Sequence, residues 1–595
     1  MPRPTPAAAF AVLSLTLGPV ASLAQAQAAD ALTTVAERSG FARTGRFDEV
    51  QRLCTAFAAA WPKQVRCIEF GRTPELRPML ALVASGDGTL AAGAARSKAR
   101  PVVLMQGGIH AGEIDGKDAG FQALREILQG TVLPGILNRV TFVFVPVLNV
   151  DGHERVGRSN RPNQTGPEEV GWRVTSQNLN LNRDYVKAEA PEMQALLRLL
   201  NEWDPILYAD LHVTDGAQFE HDVSYNVAPT LVGDAGLRAA GNGLLRTLMQ
   251  ALTEQGSLPL DFYPSLLRDD DPSSGFAVNV GPPRFSHEYW GGRRRIGVLV
   301  ETHSWKPYPV RVKITRQSIL TMLAAAAEHG TTWRQAATAA DQRATRIGGS
   351  PVALSWRTTE RTRTIDFRGY AYRREPSAVS GVLMTRYDPS IPQIWRVPLF
   401  DEIAPAVTVD APRGGYIVPA GYAAFVAAKL ALHGIDSRVL TAAVPKAALQ
   451  TFRATKVALG TSTFEGRTAA TFTGDWAAET RDVPAGSLFV PIAQPNAWLL
   501  MSLLEPAAPD SLGAWGFFNV AFERREYMEG YVAEQWAREA MAKDADLRQA
   551  FEKRLAEDPA FVRDPAARLD FFYRRHPAFD ERLNLCPIYR SATVP

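Results

Sequence analysis

Cysteine, net charge and long apolar runs are all scarce in this chain of 595 residues. Only three cysteines are present, so at least one has no intramolecular partner. Cys54 lies on an expected helix and Cys67 on the strand after it, which suits either a disulfide in an oxidising compartment or two buried thiols. Cys586 has no evident partner. A formal charge of +3 is near neutral for this length and no long basic run occurs, which excludes dependence on nucleic acid or an anionic membrane surface. Beyond the N-terminus no apolar run is long enough to span a bilayer, so no stable membrane insertion is expected.

The N-terminus reads differently. Arg3, the apolar segment from Ala7 to Leu17, Pro19, and small residues at Ala24, Ala26 and Ala28 form the pattern of a cleaved signal peptide over residues 1–28. That places the mature chain in the periplasm or outside the cell. What remains is 46% hydrophobic and 21% charged, the composition of an ordinary globular protein, and too long for a single core.

Short β-branched runs alternate with helical spacings through the first half. Val102–Met105, Val140–Val147, Ile206–Leu211 and Ile296–Val300 predict buried strands, and Phe121–Leu128, Pro191–Trp203 and Ala235–Gln255 predict helices. The expected class is α/β: a mixed, largely parallel twisted sheet with helices on both faces. Residues 30–345 are expected to form this domain. Residues 346–595, whose start is rich in Arg, Thr, Tyr and Ser, form a smaller β-containing domain with a helical C-terminal tail. That region carries no metal-ligand spacing, nucleophile motif or phosphate loop.

Chemistry concentrates where the expected strands end. Of the nine histidines only His110 has a glutamate three residues on, Glu113, in the glycine-rich loop after the first buried strand. His212 and Glu301 each close a later run. In a parallel sheet such ends lie along one edge, so the four side chains share one crevice. Two imidazoles and a carboxylate suit zinc with a position left for water, and a second carboxylate suits the general base. Asp210, two before His212, suits either an orienting contact to that imidazole or a strand-end role. His303 sits on the same strand face as Glu301.

These residues resemble the zinc carboxypeptidase family, the M14 metallopeptidases. The resemblance rests on six motifs in the family's order: His110-x-x-Glu113, Asn149-Val150-Asp151-Gly152, Trp172-Arg173, Asn182-Arg183, Asp210-Leu211-His212, and Val300-Glu301-Thr302. It covers roughly residues 40–330. It implies one Zn²⁺ per chain on His110, Glu113 and His212, with Glu301 as general base. It also implies Arg173 as oxyanion donor, and Asn182 with Arg183 on the substrate carboxylate. The family's mobile tyrosine has its nearest counterpart in Tyr289, at a shorter spacing to Glu301 than the family's. No motif names the residue that selects the substrate side chain. Asp269–Asp271 reads as a solvated acidic loop or as a preference for basic side chains.

The expected function is therefore a secreted zinc metallocarboxypeptidase acting on peptides. Within the same fold, an amidohydrolase acting on acylated amino acids or cell-wall peptides is the alternative. From a different class, a catalytically silent binding protein is the third.

Overall fold

The computed structural model describes residues 31–595, so the expected leader lies outside the described residues. By internal contacts the chain separates into two compact units. One is the chain to Ala340 with Thr358–Ile403, and the other is Asp341–Arg357 with Ala404–Pro595.

The first unit is built on an eight-stranded sheet. Its principal elements in chain order are α1 (Phe47–Ala60), β1 (Val65–Arg72), β2 (Pro78–Ala84), β3 (Val102–Gly107), α2 (Asp115–Gln129), β4 (Thr141–Val145), α3 (Pro191–Trp203), β5 (Leu207–Thr214), β6 (Val223–Ala228), α4 (Ala235–Glu254), β7 (Pro259–Leu260), β8 (Phe276–Ala277), α5 (Ser286–Gly292), β9 (Ile296–His303) and the long α6 (Tyr308–Ala344). The strand order is β1-β2-β4-β3-β5-β9-β6-β7. The central four, β4, β3, β5 and β9, run parallel. Antiparallel pairs flank them, β2 on β4 and β6 on β9, so the sheet is mixed, as its composition of buried runs implied.

Every residue of β3, β5 and β9 is buried, the expected state for parallel strands covered on both faces. Alternation along β5 shows which helix covers which face. Gly116 of α2 sits against Leu211, whereas Tyr208 packs its ring on Trp290 of α5, 6.0 Å between centroids. His212 and Asp210 share the Tyr208 face, and that face opens at the C-terminal ends of the strands.

The sequence left the state of Cys54 and Cys67 open; the structure joins them in a disulfide between α1 and β1. A buried ion pair ties the opposite face. Arg311 of α6 places Nε 2.9 Å from Asp115, and Thr302 donates to the same carboxylate at 2.8 Å. The same guanidinium donates to the carbonyls of Thr165 and Gly166, which anchors the start of the long loop between residues 155 and 185.

The hairpin β11 (Arg363–Pro376) and β12 (Leu383–Phe400) had read as part of the later region. It belongs to the first unit. Its Phe367, Trp395, Val397 and Leu399 share a core with Phe219, Leu260, Phe262 and Phe276, and aromatic burial on this scale outweighs the polar surface of the ribbon.

In the second unit, β10 (Pro351–Thr358) pairs with β13 (Ile403–Asp410). A six-stranded sheet holds β14 (Gly415–Val418) through β18 (Leu488–Pro491) and the last strand, β19 (Leu585–Ser591), which inserts between β14 and β16 (Val444–Leu459). Its core includes Ile417, Leu449, Phe489 and Leu585. The helical tail, expected from its amphipathic spacing, packs Phe551, Phe561, Phe571 and Phe572 together.

Candidate metal centre and crevice

His110 and Glu113 lie in the turn between β3 and α2, where the backbone leaves the sheet. His212 is the sixth residue of β5, and Glu301 stands directly beside it in the β5–β9 register. Four groups from three segments far apart in sequence thus meet at one strand edge.

Glu113 is the centre of the cluster. Its Oε1 lies 3.0 Å from His110 Nδ1, and its Oε2 lies 2.9 Å from His212 Nδ1. The outer ring nitrogens face other acceptors: His110 Nε2 is 3.1 Å from Asn180 Oδ1, and His212 Nε2 is 2.8 Å from Asp210 Oδ2. Each Nε2 thus has an oxygen beside it and each Nδ1 faces inward to Glu113, the ring orientation a metal ligand needs. One donor atom from each of His110, Glu113 and His212 falls within 4.8 Å of the others, and all three residues are buried. The donor set fits zinc, with two imidazoles, a carboxylate and outer partners already in place.

Electrostatics divide the two imidazoles. Burial holds His110 down at about 4. Burial also opposes charge on His212, but the carboxylates of Asp210 and Glu301 outweigh it and raise that group well above the ordinary imidazole range. Burial pushes Glu301 up to about 8 against the pull of His212, with Glu113 and Asp210 adding to the rise. Glu301 Oε2 has no hydrogen-bond partner among the described residues, so the carboxyl is available to a proton.

The stretch read as a turn, Asn149–Gly152, is the capped start of a short helix, Val150–Glu154, and it positions the arginine strip of the long loop. Asn149 accepts from Gly152 N at 3.0 Å and donates to the Arg173 carbonyl at 3.2 Å; Trp172 N donates to Gly152 O at 2.7 Å. A Cβ on Gly152 would come within 2.7 Å of the Trp172 and Val174 carbonyls, so only glycine allows this approach. Asp151 fastens the helix start by accepting from Thr73, Ser176 and Arg77. Arg173 then reaches Glu113 Oε1 at 3.2 Å. Asn182 is buried, its Oδ1 without a hydrogen-bond partner, and half-buried Arg183 lies over the Phe285 ring at 4.6 Å.

Tyr289 does not reach the crevice. It is fully buried on α5, with its ring 5.5 Å from that of Tyr185, because the helix turns it beneath the sheet. A different tyrosine is closer to the cluster. The hydroxyl of Tyr263 lies 3.0 Å from Thr214 Oγ1, and the charges of Glu301 and Glu113 add to the burial that raises its pKa. Arg161 and Asn180 also escaped the sequence reading, since neither belongs to a motif and both come from the long loop. His303 stacks flat on Phe219 at 3.9 Å and is buried. Two of the acidic triplet are structural, Asp271 pairing with Arg268 and Arg374 and Asp270 accepting from Thr385 N, while Asp269 is exposed.

Residues 50–234 match the family Peptidase_M14, described as zinc carboxypeptidase. No curated protein matches the chain. Among solved structures, the carboxypeptidase A of Helicoverpa armigera is 16% identical, with 50% of this chain and 75% of that chain covered and a TM-score of 0.34. The metallo-carboxypeptidase of Burkholderia cenocepacia is 16% identical over 46% and 68%, with a TM-score of 0.33. Bovine thrombin-activatable fibrinolysis inhibitor, in complex with tick carboxypeptidase inhibitor, is 14% identical over 48% and 97%, with a TM-score of 0.33. The matched segment holds His110, Glu113, Arg173, Asn182, Arg183 and His212, and Glu301 lies beyond it. The resemblance to the zinc carboxypeptidases is thus carried by the segment 50–234, less than a third of the chain.

Proposed function

We propose that this chain is an exported metallocarboxypeptidase that hydrolyses C-terminal peptide bonds, with Glu301 as general base. The observation that carries the reading is the register of β5 and β9, which sets beside His212 a buried carboxyl whose Oε2 has no hydrogen-bond partner among the described residues. His110, Glu113 and His212 would hold the ion. When bound, zinc supplies a Lewis acid for the scissile carbonyl and lowers the pKa of water. Glu301 accepts the proton of the attacking water and returns it to the leaving amine, which requires a carboxyl close to neutrality rather than a strong acid. Arg173, half-exposed beside the cluster, donates to the developing oxyanion. Asn182 and Arg183 take the substrate carboxylate, for which a planar guanidinium fork is suited. Export is supported by the leader pattern and by the Cys54–Cys67 disulfide, which an oxidising compartment preserves. No described helix is long and apolar enough to cross a membrane.

The test is release of free amino acids from a peptide library by wild type and Glu301→Gln, with zinc measured on both. Wild type is expected to trim C-termini, and the variant to hold zinc while losing about 10²–10⁴-fold in kcat. Zinc-loaded wild type that trims no free C-terminus defeats the carboxypeptidase reading, and activity confined to acylated or cell-wall substrates replaces it with the amidohydrolase.

A further inference from the structure

Arg161 comes from the long loop and matches no motif, yet its guanidinium is only 9% exposed and lies 3.0 Å from Glu113 Oε1. Two neighbours hold it there. Nε donates to Gln164 Oε1 at 3.3 Å, and the second terminal nitrogen lies 3.5 Å from the carbonyl of Val213, the residue after His212. Gln164 in turn donates to the carbonyl of Gly112 at 3.1 Å.

Gly112 sits between the two ligands of the first loop and makes the approach feasible. A Cβ there would stand 2.6 Å from Arg161 Cγ and 2.9 Å from its Cδ. The missing side chain is the space that the arginine stem fills.

Arg161 and Arg173 share one carboxylate oxygen, at 3.0 and 3.2 Å. A guanidinium has five N–H donors. Three of those of Arg161 have acceptors among the described residues, and the rest remain for an incoming oxygen. Unlike half-exposed Arg173, Arg161 is fixed before substrate arrives, and binding costs little further side-chain ordering.

We propose that Arg161 is a further substrate-binding residue, donating to a carbonyl or carboxylate oxygen of the peptide beside the metal ligands. Gly112 is what admits it. The proposal rests on the peptidase reading above, and it distinguishes this crevice by a cation supplied from the long loop rather than from a sequence motif.

The test compares wild type, Arg161→Ala and Arg161→Lys, each loaded with zinc. Zinc content, circular dichroism, KM and kcat on a free-C-terminus peptide, and calorimetric binding of succinate as a carboxylate probe are measured on all three. Arg161→Ala is expected to keep one zinc and native dichroism. Its KM and its succinate dissociation constant should rise about ten- to hundredfold while kcat moves much less. Arg161→Lys, a point charge without the fork, should recover only part of the loss. Loss of zinc from Arg161→Ala with unchanged succinate binding to the protein that retains it would make Arg161 a brace for Glu113 and overturn the proposal. Unchanged KM and succinate binding in both variants overturns it as well. If wild type trims no peptide, the peptidase reading fails, and succinate binding to the zinc-loaded proteins alone then decides the role of Arg161.

Discussion

Asp210 shows how a single side chain sets the chemistry of the crevice. It is buried on the same face of β5 as His212 and faces Nε2 of that ring at 2.8 Å, while Nδ1 is left toward Glu113. A neutral amide in its place keeps the shape and removes the charge that holds the imidazole in one tautomer. Asp210→Asn is therefore expected to weaken zinc affinity about 10–100-fold, measured by competition with a chromophoric chelator. Asn180, already an amide, performs the same office for His110. Wild-type affinity in Asp210→Asn would show that packing alone orients His212.

At the scale of elements, α6 and α3 hold the crevice walls in place. Arg311 of α6 is fully buried, and its loss strands Asp115 as an uncompensated charge while releasing the carbonyls of Thr165 and Gly166. Arg311→Met should cost about 3–5 kcal/mol in denaturant unfolding, a loss much larger than surface arginines give. Glu192, in the first turn of α3, is fully buried, and neither carboxyl oxygen has a hydrogen-bond partner among the described residues. Burial pushes it up to about 7 from an ordinary 4.5. The folded state thus keeps a proton that the unfolded chain releases, so stability falls as pH rises between 4.5 and 7. Above that window the cost is ~3 kcal/mol. Glu192→Gln is expected to flatten this part of the stability–pH curve and to be the more stable protein at pH 8. Parallel curves for the two proteins would place the burial cost elsewhere.

On the scale of the whole molecule, the cluster is anchored without relying on one bond. Glu113 is held by both histidines, two arginines and the backbone N–H of Val213. Removal of zinc by a chelator is accordingly expected to abolish hydrolysis while far-UV dichroism stays native. Thermal stability should drop by the mass-action term alone, and added zinc should restore both. A cooperative loss of dichroism on chelation would mean that the ion is part of the fold's stability, as in small zinc domains.

What the sequence determined by itself is local and periodic. The buried runs of β3, β5 and β9 are legible because strands covered on both faces must be apolar throughout, and chemistry placed at their ends follows from parallel order. The strand-end positions of His110, Glu113, His212 and Glu301 were readable for that reason, whereas the stretch read as a turn at Asn149–Gly152 is the capped start of a helix, Val150–Glu154. Tyr289 misled because nearness to Glu301 along the chain is not nearness in space: α5 turns it under the sheet, while Tyr263, much farther away in sequence, reaches Thr214. The aromatic ribbon β11–β12 likewise looked like surface until Trp395 and Phe367 found Phe219 and Phe276. Tertiary structure alone decided these contacts, together with the approach of Arg161 over Gly112. They join segments through side chains of no fixed spacing, and only the closing of long loops onto the sheet brings them together.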